Sequence, residues 1–213
     1  MDAGAAPRDS ALTEGLLRAF AVLLLGVFIW NVGRNWWADT SRITLLLLLV
    51  TESFTLALVL FARRAIVRDL SPIAMAATFY AAFFFVLFGY QDTRHLAPEW
   101  LAAIFQFAGL AWQVAAKATL GRAFGLLPAV RGLVTRGPYR LVRHPIYLGY
   151  LIAHVGFLLG NFSWRNLVVL VVLYLAQAVR MQREEAMLRS GEQGVDYDAY
   201  CARVRWRIVP FVF

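Results

Sequence analysis

The chain has 213 residues, 61% of them hydrophobic, a mean hydropathy of +0.62 and a formal net charge of +8 at pH 7. Soluble domains usually contain about 45–50% apolar residues, so this composition argues against an ordinary soluble protein. The basic residues flank apolar segments and form no isolated basic patch, which excludes a typical nucleic-acid-binding protein. Because Cys201 is the single cysteine, an intramolecular disulfide is excluded as well.

Six apolar segments follow one another along the chain, and we predict that each forms a membrane-spanning helix. The first four approach the roughly 20 residues that cross a ~30 Å hydrocarbon core, whereas the last two are shorter. The segments are Leu16–Val32, Ile43–Phe61, Pro72–Tyr90, Leu96–Ala116, Ile146–Gly160 and Leu167–Val179. The fold class predicted from this pattern is an all-α polytopic membrane bundle.

The last two segments are separated by a turn-rich stretch at residues 161–166. We therefore predict that they form a helical hairpin, whose second arm continues beyond the apolar segment to about Arg189. The two long polar connections, 117–145 and 180–213, then lie on one side of the membrane. This arrangement divides the chain into four N-terminal spans, residues 1–116, and a C-terminal core, residues 117–213.

The distribution of basic residues predicts the orientation, because cytoplasmic loops of membrane proteins are enriched in Lys and Arg. With six spans and a cytoplasmic N-terminus, most of the 21 basic residues lie on the cytoplasmic side. Four lie on the opposite side: Arg34, Arg42, Arg94 and Arg165. We therefore expect both termini and both long polar connections in the cytoplasm, where a water-soluble cofactor could enter.

Four motifs occur in a fixed order in the C-terminal half. They read LVTRGPY (133–139), RLVRHPIYLG (140–149), RMQREEAML (180–188) and YDAY (197–200). In this order they resemble isoprenylcysteine carboxyl methyltransferases and their prokaryotic relatives, over about residues 117–210. The resemblance implies an integral membrane enzyme that uses S-adenosyl-L-methionine (SAM). It also implies methyl transfer to a lipophilic acceptor, nominally the carboxylate of a prenylated cysteine, beside membrane lipids; the oligomeric state is left open.

The residues in these motifs suit the chemistry of SAM, which carries an ammonium, a carboxylate, a sulfonium and an adenine. Donors for the carboxylate include Arg140, Arg143 and the helix start at Pro145, since a helix N-terminus favours an anion. Acids for the ammonium are available at Glu184 and Glu185. A hairpin would bring these two polar stretches to the same membrane face. They could then enclose one cofactor.

The resemblance also implies individual roles. Arg180 would face the acceptor, because a guanidinium stays cationic and suits a carboxylate. Together with Arg180, Glu185 would form the catalytic pair. The residues implied to bind SAM are Tyr139, His144, Tyr147, Leu148, Gly149, Glu184 and Glu185. An ionised acceptor needs no strong general base, and the sequence shows no metal-binding pattern.

Other interpretations remain open at the level of sequence. Arg180 and Glu184 are spaced i,i+4 and could form an ordinary surface ion pair. Membrane sterol reductases that use NADPH have a similar C-terminal plan, but they lack the Glu184–Glu185 pair and the GPY motif. A transporter or scaffold is a further alternative, although no internal repeat is visible.

Two ionisable residues lie inside predicted spans. Glu52 is costly to place at mid-membrane and is therefore a functional candidate that could face the acceptor or pair with Gln106 or Gln113. It could equally be a neutral, hydrogen-bonded structural acid. For His154 we expect a packing or interhelical hydrogen-bond role.

Overall fold

The computed structural model describes residues 11–38, 40, 43–63, 67–69, 71–89, 93–124, 129–130, 132–191 and 194–212. Within these residues the fold is all-α, apart from a short antiparallel pairing of Val67–Arg68 with Ala129–Val130 and an isolated antiparallel bridge between Arg94 and Phe162. The helices are α1 (Ala11–Ala38), α2 (Ile43–Leu60), α3 (Pro72–Phe83), α4 (Glu99–Leu120), α5 (Pro145–Gly160), α6 (Trp164–Ser190) and α7 (Gly194–Arg203).

A helix lies in each of the six apolar segments, with bounds that differ from the predicted ones. The third segment becomes α3 followed by a 3₁₀ turn at Phe84–Leu87, so its α-helix is shorter than predicted. The second arm of the hairpin continues past its apolar part, as predicted. Three of the described helical stretches are long and apolar enough to cross a membrane: Gly15–Ala38, Glu99–Ala123 and Trp164–Ser190. The count of six crossings stays a prediction.

Large apolar side chains cover the outside of the bundle. Trp37 is 80% exposed, Trp164 74% and Leu175 64%. A soluble monomer rarely exposes a contiguous apolar surface of this kind. Together with the three apolar helices, this surface indicates a membrane protein.

Glycines allow α4 and α5 to pack with their backbones in close contact. A Cβ atom on Gly149 would lie 2.6 Å from Cγ of Gln113, and one on Gly156 would lie 2.6 Å from the carbonyl oxygen of Ala102. Small residues let membrane helices approach in this way. The contact also crosses the predicted division of the chain, because residues 116 and 117 lie inside α4.

Each arm of the hairpin packs mainly against an earlier helix. α5 lies along α4, whereas α6 packs against α3. Between the arms, the phenol of Tyr174 on α6 lies 2.9 Å from Nδ1 of His154 on α5. We call the end of the hairpin that carries His144 and Glu185 the motif end, and the end at residues 161–163 the turn end.

Asn166 closes the turn end of the hairpin. Its side chain is fully buried and donates hydrogen bonds of 2.9 Å to the carbonyl oxygens of Gly89 and Asn161. Its Oδ1 accepts a hydrogen bond from the backbone N–H of Gly89, also at 2.9 Å. The backbone N–H of Asn166 is in turn capped by the hydroxyl of Ser163. This amide therefore joins the start of α6 to the segment that follows α3.

Candidate active site

The C-terminal tail lies directly against the RLVRHPIYLG motif. The backbone N–H of Arg143 donates to the carbonyl oxygen of Trp206 at 2.9 Å, and that of His144 donates to Arg207 at 2.8 Å. His144 then occupies the position before α5, and Pro145 opens the helix as the sequence predicts. Two stretches separated by about sixty residues thus meet at the motif end.

Helix α7 holds the tail in place through a buried tyrosine cluster. Tyr197 and Tyr200 pack with Val204 against Leu133 and Leu188. The Tyr200 hydroxyl donates to the carbonyl oxygen of Tyr139 at 2.7 Å. Burial raises the pKa of both the Tyr139 and the Tyr200 phenol, so each stays protonated at neutral pH. Packing is thus the evident role of the YDAY motif.

Glu185 is the centre of a buried charged network at the motif end. Its side chain is 1% exposed. Nε2 of His144 lies 3.1 Å from Oε1, and Nη1 of Arg143 lies 3.2 Å from Oε2. Arg207 contacts the same carboxylate with Nε at 3.2 Å and Nη2 at 3.2 Å. Arg189 adds a further guanidinium at 3.6 Å.

This network determines which ring nitrogen of His144 carries a proton. An ionised carboxylate only accepts hydrogen bonds, so Nε2 of His144 must carry the proton that it donates to Glu185. A buried carboxylate is tolerated when it is both paired and hydrogen-bonded. Glu185 meets this condition with partners from the motif loop, α6 and the tail. The sequence alone gives no sign of this role for Arg207, which lies among several arginines of the tail.

A cavity of about 1200 Å³ extends from the motif end into the bundle. Both arms of the hairpin and parts of α1–α4 line it. Its wall is largely apolar and becomes polar near the motif end, where the lining residues are Tyr139, Arg143, His144, Tyr147, Arg180 and Glu184. The cavity therefore connects a charged end to an apolar interior.

Arg180 and Glu184 place opposite charges on this wall. The Arg180 guanidinium lies over the ring of Tyr147, 5.8 Å from its centroid, and Nη1 donates to Oε1 of Gln177 at 3.0 Å. The Glu184 carboxylate lies one helical turn after Arg180 on α6 and lines the same cavity.

The structure separates the residues implied to bind SAM into two groups. Tyr139, His144, Tyr147 and Glu184 lie together on the cavity wall with Arg180. The others lie off that wall: Leu148, Gly149 and Glu185. Gly149 faces α4, where it contacts Gln113, and Leu148 follows the first turn of α5.

The ionisable residues of the predicted spans also have definite places. The predicted interhelical role of His154 is present, since it contacts Tyr174 and lines the cavity. Glu52 lines the same cavity. So do its two suggested partners, Gln106 and Gln113, and its role stays a prediction.

Lys117 is a buried cation that sequence reasoning missed. It is fully buried, and Nζ donates to Oγ1 of Thr55 at 2.8 Å. The ammonium also lies 5.6 Å from the ring centroid of Tyr150 and 6.0 Å from that of Phe124. One signal could have found it, because Lys117 is the only lysine among 21 basic residues.

Comparisons with known proteins agree with this architecture. The family model for phospholipid methyltransferases matches residues 100–191, which include α4, both arms of the hairpin and the motif end. Protein-S-isoprenylcysteine O-methyltransferase A of Arabidopsis thaliana is 30% identical in an alignment of 208 positions, which covers 92% of this chain and 95% of that protein. The similarity thus extends from the N-terminal helices to the tail. The chain belongs to the isoprenylcysteine O-methyltransferase family of membrane methyltransferases.

Proposed function

We propose that this protein transfers a methyl group from SAM to a lipophilic acceptor, namely the carboxylate of a prenylated cysteine. The observation that carries the proposal is the pair Arg180 and Glu184, which stand with opposite charges on an otherwise largely apolar cavity wall. An apolar cavity with a few convergent polar groups is the usual form of a small-molecule site. Membership of the isoprenylcysteine O-methyltransferase family supports methyl transfer as the reaction.

The donor set at the motif end fits SAM. Glu184 offers a carboxylate to the ammonium, and Arg143 offers a guanidinium donor to the carboxylate, while the His144 ring lines the same wall. Tyr139 and Tyr147 offer aromatic faces to the adenine. When bound, SAM supplies an electrophilic methyl group on a sulfonium, and its transfer to a carboxylate removes one charge of each sign.

Arg180 is the residue that we assign to the acceptor. A cation–π contact with Tyr147 and the hydrogen bond to Gln177 orient its guanidinium. A guanidinium suits a carboxylate, which it can hold through two parallel hydrogen bonds. The surrounding apolar wall excludes water from the acceptor anion and favours the charge-neutralising step. Alignment and dehydration are then the main contributions of the protein.

Glu185 acts, in this proposal, as a positioning residue. It is sealed behind the cavity wall and saturated by His144, Arg143 and Arg207. Through these contacts it fixes His144 and Arg143, which do reach the cavity. Glu184 is therefore the acid that we assign to the cofactor. The family resemblance implied that Glu185 takes part in catalysis and SAM binding. We now propose that it only orients His144 and Arg143.

We place the motif end on the cytoplasmic side of the membrane. The distribution of Lys and Arg supports this orientation. SAM could then enter from water while the acceptor enters from the bilayer.

The decisive experiment measures transfer of labelled methyl groups from SAM in detergent or liposomes. The acceptors are farnesylcysteine, a panel of small thiols and a phospholipid extract. We expect methylation of farnesylcysteine, and a base-labile methyl ester as the product. Methylation of only the thiols or lipids would refute the prenylcysteine acceptor. Calorimetry that shows binding of NADPH and no binding of SAM would refute the methyltransferase mechanism.

Three variants locate the site within the same assay. Arg180→Ala should lower kcat/KM for farnesylcysteine roughly tenfold to hundredfold, the equivalent of one hydrogen bond to a charged group. Glu184→Gln should mainly weaken SAM binding. The matched control is Arg183→Ala, because Arg183 lies on the same helix but pairs with Asp69 outside the cavity. Full activity in both site variants would contradict our assignment.

A further inference from the structure

Three arginines line a second, smaller cavity beside the large one. Its volume is about 240 Å³, and its basic residues are Arg63, Arg122 and Arg136. They belong to three segments, since Arg63 follows α2, Arg122 follows α4 and Arg136 lies in the LVTRGPY motif. All three residues are exposed. The second cavity therefore gathers positive charge from separate parts of the chain.

Backbone contacts hold these three segments together. The backbone N–H of Arg63 donates to the carbonyl oxygen of Arg122 at 2.8 Å. A Cβ atom on Gly137, which follows Arg136, would lie 3.0 Å from Oγ1 of Thr119 on α4. The three arginines thus extend from one connected rim at the end of α4.

Acidic residues are rare around this rim. Residues 100–183 contain no aspartate or glutamate. The acid nearest to Arg63 along the chain is Asp69, and its carboxylate contacts the Arg183 guanidinium at 3.4 Å. Within the described parts of the chain, no acidic residue lines the second cavity. A concave surface with charge of one sign attracts an ion of the opposite sign, so this cavity is suited to an anion.

The second cavity also borders an exposed apolar surface. Helix α2 is apolar and ends at Leu60, three residues before Arg63. Leu60 is 46% exposed and Phe61 is 71% exposed. Basic residues just beyond an apolar membrane helix lie at the depth of the lipid headgroups. An anion that carries an acyl chain matches both the arginines and Phe61, whereas a soluble anion or an acidic peptide matches the arginines alone.

We propose that the second cavity binds the phosphate of an anionic phospholipid, with an acyl chain along Phe61. This inference goes beyond the proposed reaction and does not depend on it. Guanidinium groups suit phosphate oxygens, to which they donate paired hydrogen bonds. A zwitterionic phospholipid binds more weakly, because its ammonium places another cation beside three arginines.

Occupancy of the second cavity also affects the large one, because the two share a wall. Five residues line both: Leu120, Ala123, Gly132, Leu133 and Val134. Leu133 also packs against the buried tyrosine cluster of α7. A bound phospholipid therefore stabilises the wall segment at residues 132–134.

The test uses the full chain in detergent micelles that contain equal amounts of phosphatidylglycerol and phosphatidylcholine. Native mass spectrometry should show that the wild type retains phosphatidylglycerol preferentially. Arg63→Gln, Arg122→Gln and Arg136→Gln should each lower this preference about fivefold, the equivalent of about 1 kcal/mol for each basic residue. The triple variant should lose the preference. Hydrogen exchange at residues 132–134 of the wild type should slow when phosphatidylglycerol is added.

Arg203→Gln is the matched control, because Arg203 is an exposed arginine on α7 that lies outside the linings of both cavities. Its lipid preference should equal that of the wild type. Equal retention of the two lipids by the wild type, or an unchanged preference in the triple variant, overturns the proposal. Displacement of phosphatidylglycerol by an equal concentration of glycerol phosphate or of an acidic peptide also overturns it, because the site would then recognise a soluble anion or a protein.

Discussion

Buried polar side chains anchor both ends of the α5–α6 hairpin, but they leave different surfaces on the cavity. At the motif end, Glu185 is held by charged partners, and Arg180 and Glu184 remain on the wall. At the turn end, Asn166 is held by backbone groups, and the wall beside it consists of phenylalanine rings. One end is charged and the other is apolar.

The difference follows from what each buried group requires. A buried carboxylate is expensive unless cations and hydrogen bonds surround it, so Glu185 joins α6 to two remote segments, the motif loop and the tail. A buried amide needs only ordinary donors and acceptors, which the backbone supplies to Asn166. A cavity with such ends orients an amphiphile, since its charged head is favoured at the motif end and its chain extends toward the rings.

Replacing Glu185 should have the largest effect on this arrangement. Glu185→Ala leaves His144, Arg143 and Arg207 without their shared carboxylate. Breaking a buried pair costs about 3–5 kcal/mol. We expect the lower part of that range, because Arg207 is 29% exposed and can be rehydrated. Thermal unfolding in detergent should show the loss of stability, and methyl transfer should fall with it.

Glu184→Gln is the matched control for stability, because Glu184 lies next to Glu185 but lines the cavity. Its unfolding temperature should stay close to that of the wild type. Equal losses of stability in the two variants would show that the motif end does not depend on Glu185 in particular.

Close packing of α5 on α4 should stabilise the fold by similar amounts at the motif end and at the turn end. Gly149→Leu acts near the motif end and Gly156→Leu near the turn end. Each side chain would enter space held by α4 at 2.6 Å from Cβ, and overpacking of this kind costs about 1–3 kcal/mol or more. The control is Gly26→Leu on α1, where an added Cβ would meet no neighbouring atom within 4 Å. Similar unfolding temperatures for Gly26→Leu and Gly149→Leu would contradict the close contact.

Asn166→Ala tests the turn end alone. The variant leaves the N–H and carbonyl groups of Gly89 without their buried partner, at a cost of about 1–3 kcal/mol. Hydrogen exchange at Gly89 should accelerate, while exchange at His144 should not change. Within the part of the chain that the structure describes, Asn161→Ala loses one side-chain hydrogen bond, to Phe157, and should have a smaller effect. Faster exchange at both ends of the hairpin would mean that the ends are not independent.

The sequence predicted the hairpin well because its signals are local. The apolar segments indicate the two arms, and Pro145 begins α5. It also predicted that residues near 147 and 184 come together. The i,i+4 spacing of Arg180 and Glu184 predicted less, since it could not show which side of α6 faces a cavity.

Other features could not be read from local patterns. Glu184 and Glu185 are adjacent and chemically identical, so only the tertiary contacts of Arg143 and Arg207 distinguish the buried Glu185 from Glu184, which lines the cavity. The stack of Phe88 on Phe157 joins residues far apart in sequence. Lys117 was visible in the composition, but its bond to Thr55 depends on the packing of α2 against α4.

Tyr200→Phe should have the smallest effect, because it removes one hydroxyl from the network that docks the tail. The lost hydrogen bond to the Tyr139 carbonyl is worth about 0.5–1.5 kcal/mol. Burial raises the pKa of the Tyr200 phenol, so the folded state favours the neutral form. This contribution is complete below the unfolded pKa of about 10 and is lost as the pH rises through the higher folded pKa. The unfolding temperatures of wild type and variant should therefore differ by a constant amount at neutral pH and converge above about pH 10. A gap that widens with pH would show that the phenol is ionised in the folded protein, and the tail would then be held at the motif end by charge instead of by packing.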